Sequence, residues 1–501
     1  ITFSPTPGCS GTATFEYTLS DGNSGTAIGT VSIPVVTSVN LGAIATGTNL
    51  PTGISGYVIN GIDPGDRMGN SISNAGDLNA DEFDDVVIGA SSADSSTGEA
   101  YVVFGKSDTT AVNLSVLGTG GYRINAPSAN SRLGSSVSGT DNLNTGDVNG
   151  DTVPDVVVGA FGTNSGAGAA YVVFGKTDST AIATGALGTA GFAITGVTSG
   201  DRAGTSVSLV GDINGDDLGD VAVGAPNANN FAGSTYIVFG KNNSDAVDLS
   251  TLGTGGFVIN GAATNDILGT SVNRAGDVNN DGRQDIIVGA NGANTAYVVF
   301  GKADNTAVEV SNFAGEGYAI TGLPTSDIIV SEAGDVNGDN LDDVIIGTPG
   351  VNNGAGRAYV VFGKTDDTAI DLTNLGADGF VMDGLTDGGR LGASVSAAGD
   401  INGDGEDDLI IGATGINGSA GAAYVIFGSA APGDVDVANL GSDGFALLGA
   451  SGNNLAGSAV SGAGDINNDG IDDLLVSAPG RSTNTGSTYV IFGGDFTGTV
   501  V

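Results

Sequence analysis

The chain has 501 residues, with 14 Lys+Arg against 56 Asp+Glu and a formal net charge of −42. That balance repels nucleic acid and anionic membrane surfaces and favours multivalent cations as partners. Charged residues make up only 14% and hydrophobics 40%, so this is no disordered acidic tail, and the lack of any His beside a single Cys excludes internal disulfides, His-based triads and the usual zinc or copper sites.

No run of 18 apolar residues is present, so no transmembrane helix and no membrane insertion are expected. The chain begins at Ile1 rather than Met, as expected of a processed chain or a fragment. Its 88 glycines follow no collagen period. They punctuate short Val/Ile/Tyr/Phe runs, the pattern of an all-β protein.

Residues 1–40 stand apart. Thr12 to Leu19 alternates in polarity, Ser20 to Gly25 supplies a turn, and Thr30 to Val36 reads as a second strand. Two strands cannot bury a core. The string Phe15-Glu-Tyr-Thr-Leu-Ser-Asp-Gly-Asn resembles the end of a bacterial cadherin-like or immunoglobulin-like module. Three readings stay open: the tail of such a module, a β-hairpin donated to a neighbouring copy, or a segment packed on the rest of its own chain. Cys9 lies here; a free or buried thiol is the plainer reading, an intermolecular disulfide or lipid attachment the functional one.

From residue 41 to 501 one unit of about 65 residues recurs seven times. Tyr-Val-Val-Phe-Gly-Lys begins at Tyr101, Tyr171, Tyr297 and Tyr359, with near-copies at Tyr236, Tyr424 and Tyr489. Gly-(Tyr/Phe)-x-(Ile/Met/Leu) begins at Gly56, Gly121, Gly191, Gly256, Gly317, Gly379 and Gly444. Each unit predicts four strands. The first is short and small, as in Leu133–Ser138, and the second is an apolar run such as 155–160. The two strings above are the third and fourth. Tyr101 to Phe104 is apolar on both faces, which requires burial on both sides. A seven-bladed β-propeller of four-stranded blades meets that requirement, because each sheet lies between two others and small first strands converge on the axis. A fourth-strand string stands alone at about 56–61, before the first complete unit, and none follows Tyr489 to Gly493. The N-terminal string is therefore expected to complete the seventh blade and close the ring.

Between first and second strands lies Asp-x-Asn-x-Asp-x-x-x-Asp. The seven copies are Asp77, Asn79, Asp81 and Asp85; Asp147, Asn149, Asp151 and Asp155; Asp212, Asn214, Asp216 and Asp220; Asp277, Asn279, Asp281 and Asp285; Asp335, Asn337, Asp339 and Asp343; Asp400, Asn402, Asp404 and Asp408; Asp465, Asn467, Asp469 and Asp473. Positions 1, 3, 5 and 9 thus carry oxygen side chains. Position 7 varies freely (Phe83, Val153, Leu218, Arg283, Leu341, Glu406, Ile471), which suits a backbone carbonyl. This is the ligand logic of a calcium loop: hard oxygens around one point in a flexible geometry. Ordinary Asp-Asn-Gly turns use one or two such residues, not four at fixed offsets in seven copies. About seven Ca2+ ions, one per blade, are expected, bringing −42 to about −28.

These residues resemble the FG-GAP repeats of integrin alpha-chain propellers: a Gly-containing first strand, the calcium loop, a Gly-Ala-Pro turn (closest at Gly224 to Pro226) and a Tyr-Val-Phe-type third strand. The resemblance covers about residues 41–501. It implies a seven-bladed propeller with calcium at one face and an extracellular role in adhesion or assembly. Similar repeats occur in large bacterial surface proteins. Three departures stand out. All seven repeats carry the loop, the fifth replaces its first-strand string with Ile329-Val-Ser-Glu332, and the second has extra residues at Gly139 to Asn144 and Pro154 at loop position 8. No ligand-binding domain interrupts the repeats, so integrin-type ligand recognition does not carry over.

The expected function is a calcium-binding, non-catalytic, extracellular structural or adhesive module of a bacterial cell-surface protein. Its partners would be calcium and a protein or glycan surface ligand, or neighbouring copies of itself. The alternatives are a filament subunit joined by donation of the N-terminal segment, and the non-catalytic propeller of a hydrolase. Acid/base work by a carboxylate pair is conceivable, but the recurrent acids are assigned to the calcium loops and no catalysis is expected. Candidate sequons at Asn113, Asn242 and Asn417 are weak evidence for glycans.

Overall fold

The computed structural model describes residues 11–20, 26–35, 38–48, 50, 54–140, 146–325, 327–429, 433–494 and 496. Seven small sheets form the seven blades of a β-propeller, and the predicted all-β class stands. Blade 1 illustrates the plan. Its antiparallel strands run Ser71–Gly76, Asp85–Ala90, Glu99–Val103 and Gly121–Asn125 from the axis outward. Every residue of the second and third strands is buried, because apolar side chains on both faces meet neighbouring blades. The hydrophobic core is accordingly not one body but seven clusters, each straddling two adjacent blades.

Two features differ from the expected plan. In blade 2 the first strand is only Val137–Ser138, and Leu133, where the expected strand began, bridges Gly98 of blade 1. Six of the seven sheets also gain a fifth, parallel strand. It comes from the following repeat: Ile182–Ala183 lies on Gly121–Asn125, and Val247–Asp248 on Gly191–Thr195. In the remaining blade a single bridge, Met382 to Val435, does the same work. The loop between third and fourth strands thus covers the outer edge of the preceding blade, which removes a free edge.

Closure follows the same rule. Ser55–Asn60 pairs with Ser487–Phe492, with Val58 opposite Tyr489, so the N-terminal string completes blade 7 as expected. Just before it, Ser38–Asn40 covers the outer strand of blade 6 at Ala446 to Leu448. The short helix Leu41–Thr46 comes next, capped by Asn40 and burying Leu41 and Ile44 in the seam between blades 6 and 7.

Gly11–Ser20 and Thr26–Val35 form a separate two-stranded antiparallel hairpin, from Gly11 opposite Val35 to Ser20 opposite Thr26. Cys9, the turn at 21–25 and the extra residues at 141–144 lie outside the described residues.

Candidate metal centres

All seven Asp/Asn loops lie where first strands pass into second strands, so they gather on one face of the ring. Burial is graded alike in each. Position 1 is half-buried, position 5 is exposed, and the position 9 carboxylates (Asp85, Asp155, Asp220, Asp285, Asp343, Asp408 and Asp473) are 0% exposed. Position 2 is always a buried aliphatic, from Leu78 to Ile466, which pins the loop to the core. Positions 4 and 6 have positive φ in every copy, such as Ala80 and Glu82 or Gly403 and Gly405. Their Gly and Asn content answers that geometry.

The position 1 carboxylate folds the loop around itself. Asp77 accepts the amides of Asp81 at 2.9 Å and Glu82 at 2.8 Å, and the other six loops repeat the pair. Position 5 accepts from position 7, as Asp81 does from Phe83 at 3.2 Å. Position 9 reaches furthest. One oxygen of Asp85 accepts the Leu78 amide at 3.1 Å, and the other accepts Gly105 at 2.9 Å. The second bond recurs in all seven blades and draws the residue after each third-strand Phe against the loop, where space admits only Gly. A side chain at Gly105 would collide with the Asp84 carbonyl.

Among the described residues no three His, Cys, Asp or Glu side chains already converge as a metal cage does. The donor chemistry nevertheless fits a hard cation. Each loop offers carboxylate, amide and carbonyl oxygens, with neither sulfur nor imidazole. No loop carboxylate at positions 1, 5 or 9 joins an ion pair among the described residues. The Asn279 side-chain oxygen, at position 3 of the fourth loop, is buried with no hydrogen-bond partner. Burial pushes Asp285, Asp343, Asp408 and Asp473 up to about 8; the amides they accept pull down, and the carboxylates at positions 1 and 5 push up further.

Sequence reasoning passed over position 8. Asp84 accepts the amide of Asp465 in the preceding blade at 2.9 Å. Asp342, Asp407 and Asp472 do the same to Asp277, Asp335 and Asp400, at 2.7, 3.0 and 3.0 Å. Pro154, Gly219 and Gln284 hold this position in the other blades. The recurrent Asp-Asp pair at positions 8 and 9 was the signal available: one carboxylate for its own loop, one for the neighbour's. A second tie runs between blades where the Lys106 amide donates to the Ile466 carbonyl, loop position 2 of blade 7, at 3.0 Å. The loops therefore sit on the seams. Arg274, Glu332 and Thr140 meet in the central channel, a cavity of about 410 Å³ lined by the inner strands.

Of the sequons, Asn113 accepts a bond from Asn60 at 3.2 Å, and Asn242 and Asn417 are exposed.

The FG-GAP repeat family model matches residues 203–238, 269–308, 331–361, 391–426 and 456–491, and a bacterial Ig domain model matches residues 1–34. Integrin alpha-PS5 of Drosophila melanogaster is 34% identical over 166 residues, 30% of this chain and 15% of that protein. Integrin alpha-5 of Xenopus laevis is 29% identical over 153 residues, 28% of this chain and 13% of that protein. The aligned part is thus a small fraction of either relative's length. Among solved structures, one of Sqt1 from Chaetomium thermophilum aligns over 81% of this chain and 78% of that one, with a TM-score of 0.39 at 13% identity, a likeness too slight to inform fold or function. The ring described above is an FG-GAP repeat propeller resembling those of integrin alpha chains.

Proposed function

We propose that this chain is a calcium-loaded, extracellular structural or adhesive module of a bacterial surface protein. One observation carries the reading: seven loops of one spacing and one burial gradient stand on the seams of a closed ring. In each, the side chains at positions 1, 3, 5 and 9 and the carbonyl at position 7 would hold the ion. Calcium supplies charge neutralisation for three carboxylates that otherwise repel one another. Because the loop also anchors the neighbouring blade, the ion acts as a rivet of the ring. Sites of this kind fill at the millimolar calcium found outside cells. With calcium tenfold above the dissociation constant, each independent loop adds about 1.4 kcal/mol, and seven add about 10 kcal/mol. The position 9 acids are consumed as buried amide acceptors, which argues against catalysis there.

The test is thermal melting with and without chelator, alongside elemental analysis. The melting temperature is expected to fall markedly in EDTA and to recover with calcium. An unchanged melt in a protein that carries no bound metal overturns the reading.

A second reading is a filament subunit joined by strand donation. The hairpin Gly11–Ser20/Thr26–Val35 favours it, because among the described residues it pairs with no strand but its own partner. The Ig-domain match over residues 1–34 favours instead the tail of an adjoining module. Negative-stain microscopy in calcium separates them: filaments select donation, and single rings select the tail.

A further inference from the structure

The face opposite the metal loops carries the turns between second and third strands and the loops that lead into each new blade. Blades 2 and 3 differ from the rest there in three ways. The first position of the turn is Ser91, Pro226, Asn291, Pro349, Thr414 or Pro479 in six blades, but Phe161 in blade 2. The sixth position is left-handed and holds Ser96, Gly166, Gly354, Ser419 or Asn484, but in blade 3 it holds Phe231, at φ 64° and 49% exposed. A bulky residue held left-handed costs free energy, and here it places an aromatic ring in solvent. Third, two exposed arginines from successive approach loops flank one ring: Arg132 lies 5.7 Å and Arg202 5.1 Å from the centre of Phe161.

Neither guanidinium has a hydrogen-bond or ion-pair partner among the described residues. The chain carries four acids to every base, yet none of those acids pairs with either guanidinium among the described residues. Stacking occupies the face of a guanidinium and leaves its edge donors free. Loops 126–132, 161–168 and 226–233 contain no acid, and 196–202 contains only Asp201, whose carboxylate accepts the Thr198 amide at 3.0 Å. The pieces form one surface. Asn227 donates its side chain to the Gly200 carbonyl at 3.0 Å, joining the Phe231 turn to the Arg202 loop, which also exposes Val197 at 42%.

We propose that the Arg132–Phe161–Arg202 stack, with Phe231 and Val197 beside it, is the docking surface for an acidic peptide segment of a partner protein. The guanidinium edges grip a carboxylate, and an adjoining apolar side chain rests on Phe231. A polyanionic glycan fits less well, because a body of net charge −42 repels a dense line of charge more than the spaced carboxylates of a peptide, and a glycan brings no apolar side chain for Phe231. The proposal deepens the adhesive reading of the propeller and rests on it.

The test is fluorescence anisotropy of the full chain in calcium with three probes: a labelled peptide of alternating Asp and Leu, its Asn/Leu counterpart, and labelled heparin. The Asp/Leu peptide is expected to bind at least tenfold more tightly than the other two. Arg132→Asn with Arg202→Asn keeps residues suited to left-handed backbone and should cost at least tenfold. Phe231→Ser, the residue blade 6 uses at this position, should cost severalfold. Arg390→Asn, at the equivalent place in blade 6 where the arginine pairs with Asp327 and flanks no ring, should change nothing. Equal binding of both peptides, preference for heparin, or indifference to the double substitution overturns the proposal. A melting curve for each variant confirms the fold. Peptide binding that survives in a protein whose melt ignores EDTA sinks the calcium rivets and supports this surface.

Discussion

Lys106 of blade 1 stands 4.3 Å above the ring of Tyr57, a residue of the N-terminal strand that completes blade 7. The pairing crosses the seam where the two ends of the ring meet, and it recurs. Lys176 covers Tyr122, Lys241 Phe192, Lys302 Phe257 and Lys364 Tyr318, each reaching onto the preceding blade. These five are all the lysines in the chain. Where Lys is replaced by Gly494, Phe496 stacks on Phe445 at 4.8 Å instead.

Replacing Lys106 by Met keeps the stem packed on Tyr57 and removes only the charge. A loss of about 1 kcal/mol is expected, the worth of a partly desolvated cation–π contact. Lys302→Met should cost more, because Lys302 is only 9% exposed and also pairs with Glu316 at 2.9 Å. Chemical denaturation of the two variants checks the order. Equal and negligible losses would mean that the lysines merely decorate the seam.

Asp81 and Asp85 share one loop but should fail differently. Asp85→Ala strands the buried amides of Leu78 and Gly105, so it should cost about 2–4 kcal/mol even without calcium, and more with it. Asp81 is exposed and among the described residues accepts only from Phe83, so Asp81→Asn should leave the calcium-free melt unchanged or slightly raised, as one repelling charge is gone, and shrink the gain on adding calcium. Two melts of each variant, in EDTA and in calcium, read both effects. A gain from calcium left at full size in Asp81→Asn would remove position 5 from the ligand set.

The propeller was legible because three strings repeat at nearly constant spacing, and the closing strand because Gly56 to Asn60 stands one string out of phase. The loops were legible because oxygen side chains recur at positions 1, 3, 5 and 9. What stayed hidden depends on the neighbouring blade. Val112–Asn113 is too short and too polar to read as a strand, and it becomes one only against Ile59 and Asn60. Lys106 is visible as part of a repeated string, but its partner lies in another repeat. Asp84 looks like a spare acid until the Asp465 amide is beside it. The sequence pattern reports local geometry well, while contacts between repeats are set by how the ring closes.

Gly188 and Gly486 test the seam against plain backbone strain. Both are left-handed, at φ 59° and 90°. A methyl group on Gly188 meets nothing, whereas on Gly486 it overlaps the carbonyl of Met68, which bridges blades 7 and 1. Gly188→Ala should therefore cost about 1–2 kcal/mol, the left-handed penalty alone. Gly486→Ala should cost at least about 2 kcal/mol more, because the bridge between blades must part. Calorimetry of the two variants decides. Equal costs would show that the latch gives way freely.

Truncation separates the N-terminal hairpin from the closure. The hairpin pairs with no propeller strand among the described residues, so removing residues 1–37 should leave the melting temperature of the ring unchanged. Removing residues 1–54 takes away Ser38–Asn40 as well, which exposes the edge of blade 6, and with it Leu41, Ile44 and Ile54 from the core of the last seam. Losing three buried aliphatic side chains costs about 6 kcal/mol at the low end of such measurements, before the strand is counted. The longer truncation should therefore melt far below the shorter, and its hydrogen exchange should rise first in blades 6 and 7. If both truncations melt alike, closure rests on Ser55–Asn60 alone, and the covering strand adds no stability to the ring.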